Sequence, residues 1–306
     1  MKSFSELTKA ELYKYENASA CCDAAELAGM LLLGSSISKN EIKFVTENTD
    51  VLGRFALLCR RLGFEAEAVG ETAAVRYNAV IRDTTRILMI LNDFELIDPS
   101  TGIIRYRIAP AVSAEKCCRH ALVRGAFMGG GTVIDPKKNY NLELITPYSG
   151  LSRDLSELLD REGFGFKTVK RKSKHVLYIK SSGMIQDFLS YIGAYKAQME
   201  LINIMIEKEI RNDFVRSINS ESANLEKTIE ASVRQIQAIN VIEEKLGLDN
   251  LPEDLRTIAQ LRLEHKSMSL SELGRQTEPP LGKSGVNRRL QKITELADRL
   301  SAGDGE

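Results

Sequence analysis

The residues with the plainest chemistry lie near the C-terminal end. From Lys283 to Lys292 the chain carries Lys283, Arg288, Arg289 and Lys292 and no acid. At about 100° per residue, Val286, Leu290, Ile293, Ala297 and Leu300 share one side of a helix, and Ser284, Asn287, Arg288, Gln291 and Lys292 share the other. Ammonium, guanidinium, amide and hydroxyl donors on one face can bond the phosphates and base edges of duplex DNA, whereas an ordinary solvated face mixes both signs of charge. Ser269-Leu270-Ser271-Glu272, just upstream, fits a capping box at the start of a short helix. The DNA-contacting set is therefore read as Ser269, Lys283, Ser284, Asn287, Arg288, Arg289, Gln291 and Lys292.

A second cationic group, Lys167, Lys170, Arg171, Lys172 and Lys174, falls where two strands turn into each other. Lys170, Arg171, Lys172 and Lys174 are read as candidate phosphate contacts, with a solvated hairpin as an equal alternative. Other chemistry finds little support. His120, His175 and His265 are isolated, and Gly129-Gly130-Gly131 lacks the Lys-Ser/Thr pair of a phosphate loop. Among the cysteines, the adjacent pairs Cys21-Cys22 and Cys117-Cys118 have neither C-x-x-C spacing nor an extracellular disulfide pattern. They are read as small buried residues at the starts of packed helices in preference to a redox site, and no metal or cofactor is expected.

The positioning elements are duplicated. Cys21 to Gly34 recurs loosely as Cys117 to Gly130, 96 residues on. After a short added turn, Asp135 to Tyr140, the spacing becomes 100, so that Thr46 answers Thr146 and Gly63-Phe64 answers Gly163-Phe164. Each copy opens with an apolar helix and passes through a strand (Ile42 to Val45; Leu142 to Ile145) into a second helix (near Leu52 to Leu62; near Leu151 to Arg161). Two further strands follow (Phe64 to Val69 and Val75 to Ile81; Phe164 to Val169 and His175 to Lys180). Small residues four apart, Ala25 and Gly29, then Ala121, Gly125 and Gly129, allow two helix backbones to approach closely.

Further along, Phe188, Leu189, Ile192, Met199, Ile202 and Met205 predict one helix from Ile185 to about Arg211. The Ser- and Asn-rich residues 212–224 predict a connection. An apolar stripe of Leu225, Ile229, Val233, Ile236 and Ile239 then predicts a packed helix, followed by helices opening at Pro252 and Ser269, a turn at Glu278-Pro279-Pro280-Leu281-Gly282, and a last helix from about Ser284 to Leu300. That order is the pattern of a helix-turn-helix. The expected divisions are 1–19, an N-terminal segment; 20–212, the duplicated domain, with repeats of 20–113 and 114–212; 213–224, a linker; and 225–306, the helix-turn-helix domain.

The paired segments resemble the helices of LAGLIDADG homing endonucleases, most closely in Leu27-Ala28-Gly29-Met30-Leu31 and more weakly in Val123-Arg124-Gly125-Ala126-Phe127. The resemblance implies two helices side by side at a pseudo-twofold axis, each ending in an acid that holds the catalytic metal. Those positions fall on Gly34 and Gly130, which offer no side-chain oxygen. Asp135 is the nearest later acid, and its counterpart at the same spacing is Lys39. The fold class is thus α+β: a duplicated LAGLIDADG homing-endonuclease-like domain, degenerate at its nuclease positions, followed by an all-α helix-turn-helix domain. That combination resembles the WhiA family over nearly the whole chain, in Leu122 to Asp135, Arg216 to Thr228 and Leu273 to Ile293. The resemblance implies a DNA-binding regulator of Gram-positive bacteria, tied to sporulation in actinomycetes and to cell division and chromosome segregation elsewhere.

The balance of 42 Lys and Arg against 42 Asp and Glu excludes a bulk polyanion binder, so any DNA surface must be local. No apolar run approaches the roughly 20 residues of a membrane span, and the richest, Ala24 to Leu33, still carries Glu26. The expectation is a cytoplasmic, nucleoid-associated, non-enzymatic regulator of transcription. Double-stranded DNA is its main partner and a regulatory protein on the duplicated domain its second; a monomer is expected, because the chain carries its own two-fold. A protein-interaction scaffold with weak DNA affinity and a residual metal-dependent nuclease stay open as alternatives.

Overall fold

A computed structural model of the chain describes residues 2–70 and 76–302; Met1, residues 71–75 with the expected strand residue Val75, and residues 303–306 lie outside them. The chain forms two compact units, Met1–Glu209 and Ile210–Glu306.

The first unit begins with a helix the sequence reading does not assign, α1 (Phe4–Tyr13). It is started by a capping box between Ser3 and Glu6 and buries Phe4, Thr8 and Leu12. Repeat one follows as α2 (Ala20–Gly34), β1 (Ser35–Ile37), β2 (Ile42–Thr46), α3 (Thr49–Arg61), β3 (Glu67–Gly70), β4 (Tyr77–Ile81) and α4 (Thr84–Asp93). Repeat two is α5 (Lys116–Gly130), β5 (Gly131–Val133), β6 (Leu142–Thr146), α6 (Ser149–Arg161), β7 (Lys167–Arg171), β8 (Lys174–Ile179) and α7 (Ser182–Tyr191). The two antiparallel sheets have the same order, β1-β2-β4-β3 and β5-β6-β8-β7. Register is equivalent too: Ile42 faces Ile81 as Leu142 faces Ile179, and these four residues are buried in the core.

The repeats meet along α2 and α5. A Cβ on Gly29 would run into the backbone of Leu122 and Ala126, and one on Gly125 into the backbone of Glu26. Even Gly129 leaves only 2.8 Å between a would-be Cβ and the Met30 carbonyl oxygen. The small residues four apart therefore set the distance between the helices.

Glu26, the one acid in the apolar run, lies fully buried beside this seam. Its carboxylate accepts from Arg54 Nε at 2.7 Å and Nη2 at 2.8 Å, from Arg124 Nε at 3.1 Å and from Asn17 Nδ2 at 2.7 Å. Arg54 also donates to the Tyr15 carbonyl, and Arg124 to the Ile192 carbonyl and to Asn17 Oδ1. Burial by itself would raise the Glu26 carboxyl; the Arg54 hydrogen bonds and the two guanidinium charges outweigh it and hold the group below its ordinary value.

Three sequence expectations change. The helix expected from Ile185 to Arg211 is broken at Gly193, whose φ of +86° ends α7, before α8 begins at Tyr195. The linker expected at 213–224 is helical, because α8 runs unbroken from Tyr195 to Lys245. Apolar Phe214, Val215 and Ile218 and an Arg216–Asp213 ion pair one turn apart accompany the serines and asparagines, and turn-forming composition yields to helix. Of the stripe expected to pack, only Ile239 is fully buried, while Leu225, Ile229 and Val233 are 61%, 52% and 47% exposed.

The second unit adds α9 (Glu253–Glu264), α10 (Leu270–Arg275) and α11 (Lys283–Ala302) to the end of α8. Ala238, Ile239 and Ile242 of α8, Ile258 and Ala259 of α9, Leu273 of α10 and Val286, Leu290, Ile293 and Ala297 of α11 make its core.

Replacing Glu26 by Ala strands two guanidinium groups beside the seam and is expected to cost about 3–5 kcal/mol of stability, checked by urea unfolding at neutral pH. The depressed carboxyl contributes stability that is complete above an unfolded value of about 4.3 and is lost as pH falls through the folded value. The difference between the original chain and Glu26→Ala should therefore shrink on acidification below about pH 4.

Candidate nucleic-acid interface

α10, the turn after it and α11 are built from local signals. Ser269 Oγ accepts from the Glu272 amide, and the Ser269 amide donates to Glu272 Oε2 at 2.8 Å, which completes the capping box. The chain then returns against α10, with the Leu281 amide donating to the Gly274 carbonyl at 2.8 Å. A Cβ on Gly274 would strike Leu281 O, so this turn needs glycine there. Thr277 is buried, and its hydroxyl donates to the Gly274 carbonyl at 2.9 Å.

With Val286, Leu290, Ile293 and Ala297 buried, the opposite side of α11 is left to solvent. Lys283, Ser284, Arg288, Gln291 and Lys292 are exposed and Asn287 is half-buried. Among the described residues Lys283, Arg288 and Lys292 have no ion-pair partner. The first turn of α11 contains no acid, and a helix N-terminus adds the positive end of the helix dipole. Two members of the expected set have other duties. Ser269 serves as the cap of α10, and Arg289, half-buried, lies 3.2 Å from Asp254 of α9. Sequence reasoning overlooked α8 here: its Asn224, Lys227 and Thr228 border the same hollow as Lys283 and Asn287.

In the first unit, the hairpin β7–β8 is exposed from Lys167 to Lys174. Since Leu177 and Ile179 enter the core, strand alternation puts Lys174 and Tyr178, with their partners Arg171 and Lys167, on the sheet face away from the helices. Lys170, paired with His175, falls on the other face. Arg171 is joined to Glu143 at 2.9 Å; Lys170, Lys172 and Lys174 have no ion-pair partner among the described residues. The corresponding face of repeat one carries Glu67, bonded to Arg82 at 2.9 Å.

Gly34 and Gly130 are the last residues of α2 and α5, the two helix ends that adjoin at the seam. A Cβ on Gly34 would collide with the ring of Phe44, itself stacked on Phe55 at 4.3 Å, and one on Gly130 would lie 2.9 Å from the Ile145 carbonyl oxygen. Asp135 is held in a turn, accepting from the Lys137 amide at 2.9 Å. His120 lies against the Tyr191 ring at 4.0 Å, and burial pushes it below its ordinary value. Among the described residues, the one group of three or more His, Cys, Asp or Glu side chains placed to hold an ion is Cys21, Cys22, Cys117 and Cys118. This corrects the sequence reading of these pairs. Adjacent cysteines lack zinc-site spacing along the chain, but the seam brings the two pairs together, and Cys21 and Cys117 are exposed. The clue available in the sequence was their equivalence across the duplication.

Fold and site together define a duplicated LAGLIDADG-like domain joined to a helix-turn-helix domain. Residues 119–211 match the WhiA LAGLIDADG-like domain family and residues 214–297 the WhiA C-terminal HTH domain family. The chain is 40% identical over 310 residues to the probable cell division protein WhiA of Ruminiclostridium cellulolyticum, covering 97% of this chain and 98% of that one. It is 37% identical over 316 residues to the protein of the same name from Alkaliphilus metalliredigens, covering 97% and 98%. The crystal structure of full-length WhiA from Thermatoga maritima superposes with a TM-score of 0.62 at 27% identity, covering 97% of this chain and 99% of that one. This chain belongs to the WhiA family.

Introducing Asp at Gly34 or Gly130 should destabilise the protein by about 1–3 kcal/mol each, as overpacking does, measured by denaturant midpoint. A variant as stable as the original chain would show that the helix ends have room for a metal-binding acid.

Proposed function

We propose that this chain is a non-enzymatic DNA-binding regulator in which α11 enters the major groove of double-stranded DNA. The observation that carries the reading is the start of α11: its apolar side is consumed by the core of the second unit, and its other side presents Lys283, Ser284, Asn287, Arg288, Gln291 and Lys292 around the N-terminal end of the helix. Arg288 and Asn287 are the candidates for base contacts, Lys283 and Lys292 for phosphates, and Ser269 and Arg289 position the reading helix. Lys172 and Lys174 on the β7–β8 hairpin, with Lys170 and Arg171, supply a further phosphate-binding patch. The names of the relatives support a role in cell division; we read that role as carried out through transcription and linked to chromosome segregation, with sporulation as its setting in some lineages. The glycines at the ends of α2 and α5 support the absence of nuclease activity. No helix among the described residues is long and apolar enough to cross a membrane, and a monomer in the cytoplasm, associated with the nucleoid, fits this reading.

One observation favours a second reading, docking of a regulatory protein. Ile210, Phe214, Ile218, Leu225 and Ile229 are exposed on α8, and apolar surface of this kind is usual where a protein partner binds.

Fluorescence anisotropy of the full chain on pooled genomic fragments, across a salt titration, distinguishes the two. Selective binding that weakens steeply with salt is expected. Arg288→Ala or Asn287→Ala should cost about 1–3 kcal/mol on the selected fragment, whereas changing Lys170, Lys172 and Lys174 together should weaken binding on all fragments and flatten the salt dependence. Unchanged affinity in both α11 variants would remove the recognition-helix assignment. No DNA binding at any salt would leave the docking reading.

A further inference from the structure

Cys21 and Cys22 occupy the first turn of α2, and Cys117 and Cys118 the first turn of α5. All are free thiols, and their four Sγ atoms lie within 4.8 Å of one another. A tetrahedral ion with metal–sulfur bonds of about 2.3 Å separates its sulfurs by about 3.8 Å, so small side-chain adjustments close the shell. We propose that these four residues form a mononuclear tetrathiolate site for Zn²⁺, with each repeat supplying half of the ligands.

Four features besides the distances point to an ion. The set is chemically uniform: four soft sulfur donors select Zn²⁺ over Mg²⁺ or Ca²⁺. A polynuclear iron–sulfur core would need its ligand sulfurs further apart. The charge is accommodated as well. Binding expels the four thiol protons to solvent and leaves a site of net charge −2, at which two helix N-termini converge with their positive dipole ends. Neither helix start has a side-chain cap on its amides, and in α2 the Cys22 amide donates to the Ser19 carbonyl at 3.1 Å. Support from outside the ligand shell is present on one side, where Ser19 Oγ lies 3.1 Å from Cys21 Sγ and donates to Cys22 Sγ at 3.3 Å. There is also a way in: Cys22 and Cys118 are buried while Cys21 and Cys117 are exposed, giving the ion an anchored pair and an open pair.

The site lies on the seam between repeats, at the opposite end of α2 and α5 from Gly34 and Gly130. An ion there clamps the two helices at their starts and ties the repeats together without taking part in hydrolysis.

The test uses the full chain, purified under reducing conditions, stripped with chelator and titrated with Co²⁺ as a spectroscopic probe. Expected are the visible ligand-field bands and sulfur-to-metal charge transfer of tetrahedral cobalt thiolate. They should saturate at one ion per chain, be erased by Zn²⁺, and be lost in Cys22→Ser/Cys118→Ser. The exposed pair, Cys21→Ser/Cys117→Ser, changes only the open side of the site and guards against a folding defect; its circular dichroism should be unchanged and its cobalt spectrum lost. One equivalent of Zn²⁺ should raise the thermal midpoint of the original chain and leave both variants unmoved. Four titratable thiols with no cobalt–thiolate absorption would overturn the proposal. So would disulfides between the two helices in freshly purified, metal-free protein, which would assign the cluster to thiol oxidation, or saturation at half an ion per chain, which would place the metal between molecules.

Discussion

Backbone contact between α2 and α5 is the constraint on which the first unit depends. With Gly29 against the Leu122 carbonyl and Gly125 against the Glu26 carbonyl, the helix backbones meet directly at the centre of the seam. Everything that distinguishes the repeats must therefore be arranged at the flanks. Each sheet packs its own apolar face, Ile42 and Phe44 in one repeat and Leu142 and Leu144 in the other, against the helices that flank the seam. The close approach also explains why a fully buried carboxylate is tolerated. Glu26 sits one turn from Gly29, and the approach of α5 brings Arg124 within reach while α3 brings Arg54. A buried acid with only one of these partners would be a poorly compensated charge. With both, and Asn17, its oxygens are satisfied and the first repeat is tied to the second.

The duplication, the order of elements in each repeat and the helix-turn-helix were legible because they rest on local signals. Spacings of 96 and then 100 residues survive intact as α2 and α5, then β2 and β6, then α3 and α6. Likewise the Ser269–Glu272 capping box and the apolar face of α11 depend on neighbours a few residues away. What was not legible depends on partners distant in sequence. Nothing near Glu26 announces that its partners are Arg54 and Arg124, and nothing near Arg289 announces Asp254. The proximity of the two cysteine pairs, and the exposure of Cys21 and Cys117, escape sequence reading for the same reason: a cluster split by the pseudo-twofold has no motif on either half. Residues 212–224 failed differently. Their serines and asparagines favour turns locally, and the helix propagating from both sides prevailed.

The nuclease-like positions show how packing and ligand chemistry compete for the same residues. Gly34 and Gly130 terminate helices whose ends adjoin, and a Cβ at either would meet the Phe44 ring at one end and the β6 backbone at the other. The absence of acids is thus built into the surroundings as well as into the two residues. By contrast α11 keeps its polar side clear, because its fully buried core contacts are Val286, Leu290, Ile293 and Ala297, with Leu296 and Leu300 packed beside them.

The two sheets share topology and register but not charge. One outward face carries Glu67, paired with Arg82; the other carries Lys167 and Lys174 beside Tyr178, with Arg171 paired to Glu143. A scaffold whose backbone is two-fold and whose field is one-sided has a direction. On the proposed phosphate patch a polyanion would lie against the second repeat, so such a complex would have a head and a tail, and turning the polymer end for end would give a different complex instead of the same one.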